Sequence, residues 1–296
     1  MSPALLMIGA ALLFSLMAVA VKYASADYRA GEIVLYRSLV GLVLMGGVLR
    51  ARRISWRTPV PAMHLWRSLS GTVALVLWFY AIGGLPLGTA MTLNYMSSVW
   101  IAMFLMGGAL LMNATRGLDG RLVLAVLAGF AGVAMVLRPT IEQDQLWHGL
   151  VGLLSGLLAA VAYLQVTALG RIGEPGERTV FYFSLAGVVA GLAIALADGG
   201  LHMHTLRGAG LLLAIGVLAT AAQWMMTLAY ATGATLGIAT LNYLGIAFGF
   251  AFGVWLFDDP VTLMALAGMV LIVGAGIAAT FLRQRTAPAD AGPTET

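Results

Sequence analysis

The chain has 296 residues, of which 61% are hydrophobic and 9% charged, with a net charge of +4 and a mean hydropathy of +0.95. A soluble domain carries about 25% charged residues, so this chain cannot cover a water-facing surface and lipid must be its main solvent. It has no cysteine, which excludes a disulfide framework, a thiolate nucleophile and a Cys-ligated metal; the positive charge marks cytoplasmic loops rather than a nucleic-acid partner.

Runs of roughly 20 apolar residues predict ten helical spans. They cover 3–24, 31–49, 65–84, 88–112, 120–138, 146–170, 179–197, 208–230, 235–257 and 261–282. The first ends near Ala24-Ser25-Ala26, like a cleavage site. It has no Lys or Arg before Lys22, however, and its apolar run is too long for a signal peptide. The second contains Arg37 about a turn from its start, an arginine read first as snorkelling to the interface and alternatively as binding a carbonyl or an anion. The third carries Trp78 and closes on Tyr80-Ala81.

The fourth span holds Thr92-Leu93-Asn94-Tyr95, with Met91, Tyr95 and Ser98 on one helical face and Trp100 beyond them. The fifth is rich in glycine and nearly bare of polar side chains. In the sixth, Gly156, Ala160, Tyr163 and Thr167 share a face. The seventh is short and carries little. In the eighth, Thr220, Gln223, Trp224 and Thr227 again form one face. The ninth holds Thr240-Leu241-Asn242-Tyr243 and closes on Leu256-Phe257-Asp258-Asp259. The tenth is glycine-rich like the fifth, and the tail over 286–296 is small, polar and expected to be disordered.

Orientation follows from the basic residues of the loops. With both termini in the cytoplasm, that side holds Arg50, Arg52, Arg53, Arg57, Arg67, Arg116, Arg121, Arg171, Arg178, Arg283 and Arg285. The other side holds Lys22, Arg29, Arg138 and Arg207. The expected location is a membrane that the chain crosses many times.

The Thr-Leu-Asn-Tyr tetrapeptide occurs at Thr92 and again at Thr240. Tyr230-Ala231 closes the eighth span as Tyr80-Ala81 closes the third. Gly129-Phe130-Ala131-Gly132-Val133 resembles Val273-Gly274-Ala275-Gly276-Ile277. Five spans per half make the second half enter the membrane upside down. The expectation is an all-α membrane protein of ten transmembrane helices in two inverted five-helix repeats, 1–142 and 143–285, around a central cavity, followed by the tail 286–296. Secondary transporters are built this way, with substrate bound near the midplane where the repeats meet.

Polar groups inside a membrane face a partner helix or a cavity. The candidate substrate-binding residues are Trp78, Tyr80, Asn94, Tyr95, Ser98, Trp100, Tyr163, Gln223, Trp224, Asn242 and Tyr243. Every Asp, Glu and His is placed in a loop, at a span end or in the tail, so no proton relay is expected mid-membrane. The same absence, with no H-E-x-x-H, argues against an intramembrane enzyme. A cavity of aromatic, Met, Asn and Gln walls without fixed charge suits a neutral or zwitterionic solute with an apolar side chain. No cofactor or metal is read from the chain.

Ten spans in two halves, Tyr36-Arg37-Ser38 opening the second span, and short uncharged links before the fourth and ninth resemble the drug/metabolite transporter superfamily, EamA type. So do Leu256-Phe257-Asp258-Asp259 and the glycine-rich fifth and tenth spans. Asp258 or Asp259 stands where that family carries a Glu. The first half has Met112-Asn113 there, and Asn94 and Asn242 lie near where the family favours Pro. Within the superfamily the chain is similar to YddG-type amino-acid exporters. That resemblance implies export of aromatic and other neutral amino acids (Phe, Tyr, Trp, Met, Thr) across the bacterial inner membrane; the absence of a mid-membrane acid makes a facilitative carrier the expectation, and a monomer is expected. It implies a cavity lined by spans one, three, four, six, eight and nine. Broad-specificity drug or metabolite efflux is the alternative reading.

Overall fold

The computed structural model describes residues 2–97, 99–101, 103–104, 120–142, 145–232, 241 and 243–286. Among these lie ten named helices: α1 (Pro3–Ala24), α2 (Ala30–Ala51), α3 (Pro61–Gly84), α4 (Leu87–Tyr95), α5 (Gly120–Glu142), α6 (Leu146–Arg171), α7 (Gly176–Ala197), α8 (Leu206–Thr232), α9 (Leu244–Phe257) and α10 (Leu263–Thr286). The described residues form no strand. Helices α1, α2, α3, α6, α7 and α8 are long and apolar enough to cross a membrane, and α5, α9 and α10 contain shorter apolar stretches.

Local chemistry sets the ends. Ser2 caps α1 by accepting from the Leu5 amide, with Pro3 at the first helical position. Glu32 reaches back to the Arg29 amide at the start of α2. Asp258 ends α9 in the left-handed conformation, φ 52°. The fourth span is interrupted where no Pro occurs. Helix α4 stops after nine residues at Tyr95, and Met96 forms a turn. The first Thr-Leu-Asn-Tyr copy therefore occupies a helix end. Of the second, Tyr243 is the residue that precedes α9, while Thr240 and Asn242 lie outside the described residues.

The helices pair across the chain. The main contacts are α2 with α7, α5 with α10, α3 with α6 and α1 with α8. Next come α2 with α8, α4 with α9, α3 with α7, α1 with α9 and α4 with α6. Each pair joins the first five helices to the last five, and exchanging the halves in chain order returns the same set. Small residues allow the approach. A Cβ on Gly156 of α6 would lie 2.5 Å from the Leu93 carbonyl oxygen and 3.0 Å from that of Asn94. One on Gly191 of α7 would lie 2.5 Å from the Leu35 amide.

Polar networks tie the helix ends. At the C-terminal end of α2, the Glu174 carboxylate accepts from Thr58 Oγ1 at 2.7 Å and from Arg178 Nη1 at 2.8 Å, and pairs with His64 Nε2 at 2.8 Å. Arg52 meets Glu177 at 2.7 Å. At the N-terminal end of α2, Lys22 Nζ pairs with Asp259 Oδ1 and donates to the Leu85 carbonyl, both at 3.0 Å. The Leu87 amide donates to Asp259 Oδ2 at 2.6 Å. Glu32 takes the His202 amide and ring, and Arg29 donates to the Asp198 carbonyl.

The loop placement expected for several charged residues is corrected here. Helix α3 starts at Pro61, four residues before the predicted span, so His64 and Arg67 are helical and buried. Helix α7 starts at Gly176, so Glu177 and Arg178 are buried in its first turn, as Glu32 is in that of α2. Hydropathy clips such turns because it scores charge without knowing that a partner is in reach.

Gly156→Leu forces α6 off the Leu93–Asn94 backbone and should destabilise the fold by about 1–3 kcal/mol, read as a lower melting temperature in detergent. Burial alone would raise the Glu174 carboxyl, but the bonds from Thr58, His64 and Arg178 and the Arg178 charge hold it below 4.5. A depressed value stabilises the fold above the unfolded value, and that contribution disappears as the pH falls through the folded one. Melting temperature should therefore fall on acidification below pH 4.5, and Glu174→Gln should flatten that limb.

Candidate functional site

A cavity lies between the halves. Its walls come from α1 (Phe14, Met17), α2 (Arg37), α3 (Arg67, Gly71, Ala74, Leu75, Trp78), α4 (Asn94, Tyr95), α6 (Ala159, Ala162, Tyr163), α7 (Phe183) and α8 (Gln223). The α3 residues recur at helical spacing, so one face of α3 is committed to the cavity. Asn94 is held in place by donating from Nδ2 to Ser155 Oγ at 3.1 Å. That bond exists because Gly156 lets α6 touch the backbone at Asn94.

Five of the residues singled out by sequence come together here: Trp78, Asn94, Tyr95, Tyr163 and Gln223. The others lie elsewhere. Tyr80 is 42% exposed and stacks on His148, centroids 4.8 Å apart. It sits two residues from Trp78, about 200° around the helix. Trp100 lies beyond the Met96 turn and packs edge-on against Phe130 at 4.9 Å. Trp224 receives the Arg52 guanidinium over its ring at 5.2 Å. Tyr243 is buried outside the cavity walls. Ser98 and Asn242 lie outside the described residues.

The expectation of a cavity without fixed charge is overturned. Arg37 and Arg67 both line it, only 4% and 3% exposed. Arg37 lies about 10 Å along α2 and Arg67 about 9 Å along α3, at 1.5 Å per residue. Their guanidinium carbons sit 5.1 and 4.3 Å from the centroid of the same Phe183 ring, a cation–π arrangement. Arg67 folds back along its own helix over Gly71, where a Cβ would lie 2.0 Å from Nη1. Arg37 Nε, Arg67 Nε and Nη1, and Trp78 Nε1 have no acceptor among the described residues. The cavity is therefore cationic and rich in donors, with apolar walls from Phe14, Met17, Leu75 and Phe183. Helices α2 and α7 contribute where the resemblance implied neither, and no described residue of the ninth span lines the cavity.

Both arginines are visible in the sequence, yet an Arg near a span end ordinarily reaches the interface. The signal against that is spacing. Arg67, Gly71, Leu75 and Trp78 share a face that leads toward the middle of the span, not out of it.

No family model matches the chain. It is 34% identical over 280 residues to the pseudopaline exporter CntI of Pseudomonas aeruginosa (strain UCBPP-PA14), covering 94% of this chain and 95% of the exporter. An uncharacterized transporter of Helicobacter pylori (strain J99) is 24% identical over 274 residues, 90% of each chain. A riboflavin transporter of Rhizobium johnstonii is 29% identical over 201 residues, 68% of this chain and 64% of the transporter. A solved crystal structure shares the fold, with a TM-score of 0.68 at 19% identity over 96% of this chain and 98% of that one. With several apolar helices of spanning length, the chain is a multi-pass membrane protein that moves small molecules, and it belongs to the transporter family of the pseudopaline exporter CntI.

Proposed function

We propose that the protein exports small metabolites of the amino-acid type across the bacterial inner membrane by alternating access, as a monomer with both termini in the cytoplasm. The observation that carries this reading is the cavity itself, built from residues of both halves. Helix pairing that survives exchange of the halves and the repeated Thr-Leu-Asn-Tyr motif support an inverted repeat. Such a scaffold gives two oppositely open states of comparable energy. The networks around Glu174 at one end of α2 and around Lys22–Asp259 at the other are then the closures that alternate.

The walls fit the substrate type. Phe14, Met17, Leu75, Trp78 and Phe183 offer apolar and aromatic area for a side chain. Asn94 and Gln223 can orient its polar end, and the arginines require a carboxylate. Among the described residues no Asp or Glu lines the cavity, which favours facilitative movement down the solute's own gradient. Export as the direction is supported by the 34% identity to an exporter.

The test is efflux of radiolabelled Phe and Met from proteoliposomes. Wild type should release both without an imposed pH gradient, and Trp78→Ala or Asn94→Ala should slow release about tenfold while leaving the melting temperature within a few degrees. Unchanged efflux in both variants would remove the cavity from the transport path. Because the native chain has no cysteine, single cysteines at its two ends, probed with an impermeant maleimide on intact cells, should both be protected. Labelling of either one overturns the orientation.

A further inference from the structure

An arginine guanidinium is always cationic at physiological pH, and a buried charge is tolerated only when it is paired. In this cavity two such charges face one ring, Phe183. Four buried or half-buried acids among the described residues are engaged elsewhere. Glu32 is held by His202, Glu174 by His64 and Arg178, Glu177 by Arg52, and Asp259 by Lys22. All four acids sit at helix ends. Among the described residues neither Arg37 nor Arg67 meets a carboxylate, and Arg37 Nε and two nitrogens of Arg67 have no acceptor.

Charge balance then defines the cargo. A zwitterionic amino acid brings a carboxylate and an ammonium, so the occupied cavity would keep its full excess of positive charge. A molecule with two carboxylates beyond any ammonium neutralises it. Resting on the exporter reading above, we infer that among metabolites of amino-acid type the cavity prefers, over zwitterions such as Phe and Met, a net anion carrying at least two carboxylates, one received by Arg37 and one by Arg67, with an apolar or aromatic body against Phe14, Met17 and Trp78. The Phe183 ring holds both guanidiniums from one side and leaves N–H edges for paired contacts to carboxylate oxygens. Trp78 Nε1, also without an acceptor among the described residues, supplies a further donor.

The test is a series in which only carboxylate number changes: N-acetylphenylalanine amide, N-acetylphenylalanine and N-succinylphenylalanine. Binding to the full-length protein in nanodiscs is measured by calorimetry at low and high salt. Each added carboxylate should tighten binding about tenfold or more. Arg37→Gln and Arg67→Gln should each erase about one such step, whereas Arg37→Lys and Arg67→Lys should keep part of it. Equal affinity across the series, or no binding of any member to folded wild type, overturns the inference. Those two results are read on wild type, so a variant that misfolds cannot obscure them. Efflux of the same compounds from proteoliposomes separates the two readings. Charge-ranked binding without movement across the bilayer would overturn the exporter reading and leave the anion site standing. Efflux of the neutral amide as fast as of the dianion would do the reverse.

Discussion

Lipid cannot solvate a peptide group or a charge, and the layout of this chain follows from where it puts the groups that need solvation. Its backbone satisfies itself in helices. Among the described residues, Glu32, Glu174, Glu177 and Asp259 meet Lys22, Arg52, His64, Arg178 and His202 in networks at or beside the helix ends. The remaining polar groups have one place to go, the seam between the two halves. The cavity is the result of that sorting as much as a feature added to it. Its walls combine the apolar side chains that line any membrane core with the few donors that nothing else in the bundle could hold.

The seam depends on backbones coming close. Gly156 against Leu93 and Asn94, and Gly191 against Leu35, bring helices of opposite halves within a distance that no larger residue permits. At the first of these points the chain also breaks its fourth span, ending α4 at Tyr95. A helix end inside the bundle leaves carbonyls without helical partners, so it has to be sheltered by protein. The contact from α6 supplies that shelter and positions Asn94 at the same time.

Much of this is legible in the residues. The thickness of a bilayer fixes span length, so apolar runs locate eight of the ten helices to within about four positions, whereas the break that ends α4 at Tyr95 leaves no mark in hydropathy. Polar faces on predicted spans point to Asn94, Tyr95, Tyr163 and Gln223, because a hydrogen-bonding side chain in lipid has to turn inward. Rotation about the helix is harder to read. Trp78 and Tyr80 look alike in a list of aromatic residues, but two positions place them on opposite sides. Trp100 lies beyond the Met96 turn, five residues past Tyr95 and well around the helix from it, and packs against Phe130. The arginines mislead for an energetic reason. Near a span end, reaching for water normally costs less than staying inside, and the folded-back pose of Arg67 depends on a neighbour that hydropathy does not weigh.

That neighbour is Gly71. With a Cβ there only 2.0 Å from Arg67 Nη1, the two sites are not independent. A chain that acquires any larger residue at 71 must send the arginine of position 67 along another path, and Phe183, 3.1 Å from the same Cβ position, narrows the room further. Among relatives an arginine kept at 67 should therefore come with a glycine at 71, so that inspecting two alignment columns would pick out carriers able to hold this cationic pocket.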